Sequence, residues 1–72
     1  MPESFGSRLK ARRKEIRMSQ TKLCDLTGIS QANISLYENG KREPGVFMAI
    51  LLADALGCSL DWLAGRSKEV GV

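Results

Sequence analysis

From Gln20 to Arg42 the chain carries a run of side chains that recognise rather than react: Gln20, Ser30, Gln31, Asn33, Ser35 and Asn39, then Lys41 and Arg42. An amide offers a donor and an acceptor side by side, and a hydroxyl can be either. Followed by two cations, such groups suit a patterned polyanion, and the edge of a base pair flanked by phosphates is one. The equipment for bond-breaking is thin. Histidine is absent, which removes the commonest general base and the commonest metal ligand. The two cysteines, Cys24 and Cys58, are too few for a zinc cluster or a disulfide framework. They read as core thiols of a reduced compartment, with a single bridge between them as the alternative. No catalysis, no cofactor and no metal is expected.

The distribution of charge agrees with a polyanionic partner. Residues 1–42 hold nine bases and four acids, a net +5, and residues 43–72 hold two bases and four acids, a net −2. A basic half joined to an acidic half suggests an oriented approach to nucleic acid, the alternative being an ordinary solvated helix face. At 72 residues, 43% hydrophobic and 26% charged, the chain is sized and composed for one small globular domain. It has no apolar run long enough to span a membrane and no apolar segment near Met1 that would make a signal peptide, so a cytoplasmic protein is expected.

Serines and glycines divide the chain into five short helices, an all-α bundle, with no strand alternation to compete. Ser4 caps a first helix to about Arg17, with Phe5, Leu9 and Ile16 on one stripe. Ser19 caps a second, Gln20 to Thr27, which Gly28 stops. Ser30 caps a third, Gln31 to Asn39, stopped by Gly40. Lys41 to Gly45 is a loop. Val46 to Leu56 is a fourth helix closed by Gly57, and Ser59 caps a last one, Leu60 to Ala64, closed by Gly65. The domain is expected over 1–65, with 66–72 a flexible polar tail that has little to bury. Gly28-Ile29-Ser30 is too short a connection for antiparallel helices, so the second and third must cross steeply, with Leu23, Cys24, Ile29, Ile34 and Tyr37 in the angle.

In this order, RLKARRKE, SQTKLCDLTGIS, ISLYENGKREP and ALGCSLDWLAG resemble the lambdoid phage repressor and Cro family, the XRE type, over Phe5 to Gly65. The resemblance implies five helices and sequence-specific binding of double-stranded DNA as a homodimer, with the third helix in the major groove. Two departures stand out. Thr27 occupies a position that usually holds a small aliphatic residue, and its hydroxyl needs a partner. The fourth helix, VFMAILLADAL, has Asp54 as its only polar residue.

Helical geometry places Ala32 and Leu36 outward on the third helix, with Ser35 and Asn33 flanking them and Gln31 in the first turn. Gln31, Ala32, Ser35 and Leu36 are the candidate base contacts. Gln31 matches the N6/N7 edge of adenine, and Ala32 and Leu36 match thymine methyl groups, although a roll of the helix would tuck Leu36 inward. The resemblance also implies a base-reading glutamine at Gln31. Candidate phosphate contacts are Gln20 and Ser30 at two helix N-termini, then Asn33, Asn39, Lys41 and Arg42. Arg13 falls on the apolar stripe of the first helix and needs a partner, for which Glu38 is the candidate; the resemblance implies the same pair. Arg13 is also a candidate for a phosphate.

On the fourth helix, Val46, Ala49, Ile50, Ala53 and Leu56 are expected in the core, with Leu52 on its border. Phe47, Met48 and Leu51 then form an apolar patch for a second subunit, another domain or a partner protein, unless the 41–45 loop or the tail covers it. The resemblance adds the region of Cys58, Leu60 and Leu63 as a dimer contact. The expected function is a transcriptional repressor on a palindromic operator. The rival is an antitoxin or other interaction module that uses helix 46–56 to hold a partner protein.

Overall fold

A computed structural model describes residues 4–71. It contains α1 (Phe5–Glu15), α2 (Gln20–Thr27), α3 (Gln31–Glu38), α4 (Val46–Leu56) and α5 (Leu60–Leu63), and no strand among the described residues. Four of the five helices start in the same way. The hydroxyls of Ser4, Ser19, Ser30 and Ser59 accept the backbone N–H three residues on, from Ser7, Lys22, Asn33 and Trp62. Each satisfies one donor that the first turn leaves free.

Helix α1 ends earlier than the sequence suggests. The N–H of Arg17 donates to Lys14 O and that of Met18 to Arg13 O, a closure that needs a left-handed residue between them. Arg17 takes that conformation at φ 58°, although it is not glycine. The turn throws Ile16 off the apolar stripe, and it is exposed. In return the chain reverses at once, and Met18 packs beside the core.

Between α2 and α3 the turn is made by Gly28 at φ 76°. Thr27 finds its partner here: its hydroxyl donates to Leu23 O at 2.7 Å and accepts from Ile29 N at 3.2 Å. The departure from the usual aliphatic residue thus adds a clasp across the turn. Leu23, Ile29, Ile34 and Tyr37 fill the angle between the two helices, joined in the core by Leu9, Leu52, Leu56 and Leu63. Cys24 is only half-buried and Cys58 is buried; both are free thiols. Burial pushes the Cys58 thiol up from its ordinary value, with Arg12 opposing.

Helix α4 packs on α2, α5 and α1. Its buried residues are Ala49, Leu52, Ala53 and Leu56. Leu52, expected at the border, is fully buried, whereas Val46 and Ile50, expected in the core, are exposed. The helix is turned by about 50° toward Leu52 because its neighbours lie on that side. Cys58 and Leu63 are 1% and 0% exposed, so neither can present a side chain to a second subunit. The tail does have something to bury. Val70 packs beside the core, and its carbonyl accepts from Ser59 N at 2.9 Å.

Helix α1 crosses α3 without a side chain between them at Gly6. A methyl group there would run into the carbonyl oxygen of Tyr37 and the backbone of Glu38. Gly6→Ala is therefore expected to destabilise the domain by at least about 2 kcal/mol, against the small gain that alanine normally brings to a helix. Urea unfolding of the two proteins checks this; an equal or higher midpoint for the alanine variant would contradict it.

Candidate nucleic-acid interface

The first turn of α3 holds the groups that face out. Gln31 and Ala32 are exposed, Asn33, Ser35 and Leu36 are half-buried, and Asn39, Lys41 and Arg42 are exposed just beyond the helix. Leu36 thus stands between the outward and the tucked position. Short helices expose most of their N–H groups at one end, so the starts of α2 and α3 each present positive partial charge.

These side chains are linked to one another. The Gln31 amide donates through Nε2 to Gln20 Oε1 at 3.3 Å, joining the N-terminal turns of α3 and α2. Arg42 donates through Nη1 to Asn33 Oδ1 at 3.2 Å, which ties the loop after α3 back to its outer face. Asn39 Nδ2 donates to Ser35 Oγ at 3.3 Å. Gln20 with Gln31, Asn33 with Arg42 and Ser35 with Asn39 are thus three pairs, each with one member on α3. Ser30 Oγ is engaged as a helix cap, with its own proton still available.

Beneath this surface lies an ion pair. Arg13 donates through Nε to Glu38 Oε2 at 2.7 Å and through Nη2 to Oε1 at 3.0 Å, a bidentate fork. Its third nitrogen, Nη1, donates to Met18 O at 2.9 Å. Gln20 Nε2 adds a fourth bond, to Glu38 Oε1 at 3.1 Å. The side chains are 11% and 2% exposed. The hydrogen bond to Glu38 holds the Arg13 guanidinium above its ordinary pKa, with burial pulling the other way. Three of the five guanidinium N–H groups are bonded inward and the side chain is 11% exposed, so Arg13 presents little of itself to a phosphate.

Sequence reasoning missed two residues that set the frame for the interface. Arg12 donates through Nε to Leu56 O at 2.9 Å and through Nη2 to Gly57 O at 3.4 Å, capping α4 from α1. Gly6 permits the close crossing of α1 and α3. Both act on partners far along the chain, and no local pattern announces them. The other candidates lie apart. Phe47, Met48 and Leu51 sit on α4, which packs on α1, α2 and α5; Phe47 is 79% exposed, so neither the 41–45 loop nor the tail covers it. Val46 and Ile50 extend that patch. Leu60 is half-buried and lines a groove with Phe5, Pro44, Val46 and Ala49. Among the described residues no group of His, Cys, Asp or Glu side chains could hold a metal, and no helix is long and apolar enough to cross a membrane.

A helix-turn-helix family profile matches residues 9–63. The chain is 38% identical over 59 residues to the repressor protein C2 of Salmonella phage P22, covering 82% of this chain and 27% of that protein. It is 48% identical over 72 residues to the HTH-type transcriptional repressor RghR of Bacillus subtilis, covering 94% of this chain and 53% of that one. The chain thus spans about half, or less, of the length of these curated relatives. The P22 c2 repressor crystallised with a synthetic operator superposes with a TM-score of 0.82 at 34% identity, over 89% of this chain and 97% of that one.

Burial makes a measurable prediction for the ion pair. Arg13→Met and Glu38→Leu should each cost about 3–5 kcal/mol, since each leaves an uncompensated charge, and the double variant should cost well below the total of the two. Urea unfolding of the four proteins measures the coupling. Additive losses would mean that the side chains do not interact in solution.

Proposed function

Since the chain belongs to the helix-turn-helix family, of the phage-repressor or XRE type, we propose that it binds double-stranded DNA sequence-specifically and acts as a cytoplasmic transcriptional repressor, a homodimer on a palindromic operator. One observation carries the reading: an exposed glutamine at the N-terminus of α3, hydrogen-bonded to a second glutamine at the N-terminus of α2. Such an arrangement suits a helix that enters the major groove by its N-terminal end while the preceding helix meets the backbone. Gln31 reads adenine. Ala32 and the exposed edge of Leu36 meet thymine methyl groups, and Ser35 adds a hydroxyl. Gln20, Ser30, Asn33, Asn39, Lys41 and Arg42 take phosphates.

The dimer reading rests on α4. Val46, Phe47, Met48, Ile50 and Leu51 are all exposed, and together they offer roughly 500 Å² of apolar side chain. A two-fold contact through them would bury on the order of 1,000 Å², the lower bound for a specific interface. The occupant proposed is a second copy of this chain. Such a contact is weak in solution and strengthened on DNA, where two half-sites hold the subunits together.

Binding should weaken steeply with salt. About three to five phosphates per subunit give the dimer a log–log slope of roughly −5 to −9. Gln31→Ala should cost about 1–3 kcal/mol on a selected site and relax preference at one base pair per half-site, whereas Lys41→Ala should weaken all sequences alike. Titrations on selected and random duplexes between low and physiological salt decide it; a flat salt response would remove DNA from the account.

For the dimer, the double variant Phe47→Ser/Leu51→Ser should sediment as a monomer and lose cooperativity on a two-half-site duplex, while keeping its affinity for one half-site. A wild type that stays monomeric with and without DNA would reassign the α4 face to a partner protein.

A further inference from the structure

The hydrogen bonds around Gln31 have a direction as well as a geometry, and the direction starts at Glu38. A carboxylate held by a guanidinium accepts hydrogen bonds and has none to give. Glu38 is so held, by Nε and Nη2 of Arg13, with its side chain 2% exposed. Gln20 approaches Glu38 Oε1 at 3.1 Å, and only its NH2 end can face that oxygen. Its carbonyl end is then turned away, toward α3. Gln31 meets that carbonyl at 3.3 Å and must in turn present its own NH2 end. One N–H of Gln31 is thereby engaged. What remains for an outside partner is its carbonyl oxygen and a single N–H.

We infer that Glu38 is a specificity-positioning residue: through Gln20 it fixes the orientation of the Gln31 amide, so that Gln31 offers one acceptor and one donor to the groove and discriminates adenine from guanine. The inference rests on the groove reading proposed above and adds to it a cause for base choice. Adenine presents an N6–H donor and an N7 acceptor, which match the acceptor and the remaining donor of Gln31. Guanine presents two acceptors, O6 and N7. A glutamine free to turn over could satisfy guanine by pointing both amide hydrogens at it. The tethered glutamine cannot, because one hydrogen is held by Gln20 and its carbonyl would face an acceptor.

Glu38→Gln reverses the chain of orientations. The new amide keeps its oxygen toward Arg13 Nε and, giving up the bond from Nη2, places its NH2 toward Gln20, which lets Gln20 turn over and donate to the Gln31 carbonyl. Gln31 then has both hydrogens free for the groove. Gln20→Leu cuts the tether and removes one bond from Glu38 but leaves the charge and the Arg13 fork in place, and so serves where loss of the Glu38 charge unfolds the domain.

The experiment is selection of duplexes from a random library by the wild type, Glu38→Gln, Gln20→Leu and Gln31→Ala, with the bound fraction sequenced and stability followed by thermal unfolding. Expected is an adenine-over-guanine preference at one base pair per half-site in the wild type, reduced by about tenfold in Glu38→Gln and in Gln20→Leu, with the other positions unchanged. A merely structural role for Glu38 would weaken all sequences together and leave that ratio alone. If Gln31→Ala loses the preference but the other two variants keep it, the relay is overturned while the groove reading stands. Should Gln31→Ala select the same sites as the wild type, both fall.

Discussion

One buried carboxylate holds three helices in register. Glu38 reaches from α3 into the space between α1 and α2, where Arg13 and Gln20 close on it. A charge nearly out of water is tolerated only where its bonds are made, and here three N–H donors come from two other helices. Such a pair adds little net stability beside an apolar core of the same shape, but it penalises any packing in which the three helices slide. The bare crossing at Gly6 works in the same direction, since α1 can approach the end of α3 only where it has no side chain.

That constraint matters because no helix here is long enough to stand alone. Helices of four to eleven residues are marginal in water, so their shape is lent to them by the core. The outer face of α3 is therefore as well defined as its inner face is packed. Ile34, Tyr37 and Glu38 are buried on one side, and the amide and hydroxyl groups follow on the other. The Thr27 clasp adds to this by fixing how α3 leaves α2. Recognition and packing are two sides of the same eight residues.

How much of this is legible in the sequence follows from range. Serine caps and the glycine stop of α2 act within three or four residues, and they mark the helix starts and the α2–α3 turn correctly. The Arg13–Glu38 contact is long-range, yet visible, because an arginine on an apolar stripe demands a partner. The roll of α4 is not visible: VFMAILLADAL is apolar all round, so periodicity cannot say which arc is inside, and packing on α2 chose Leu52 over Val46 and Ile50. Likewise the burial of Cys58 and Leu63, the docking of Val70 and the reach of Arg12 to Leu56 depend on distant elements. At the outer face of α3, residue types can be read, but the bonds that orient the amides need coordinates.

The reach of Arg12 also bears on the order in which the polypeptide acquires its shape as it is made. Its acceptors on α4 lie 44 and 45 residues further on, and the partner of Arg13 lies 25 further on. During synthesis α1 emerges before every helix it packs on. The α2–α3 pair, whose contacts are local, can settle as soon as it clears the ribosome, because short loops close quickly. Helix α1 can dock on α3 through Gly6 and Arg13 once Glu38 is made, while Arg12, already beside Glu15, gains its last two acceptors only with Leu56 and Gly57. Helix α1 is thus committed in two steps, and a ribosome stalled before Leu56 would hold a chain in which α1 has met α3 but not the end of α4.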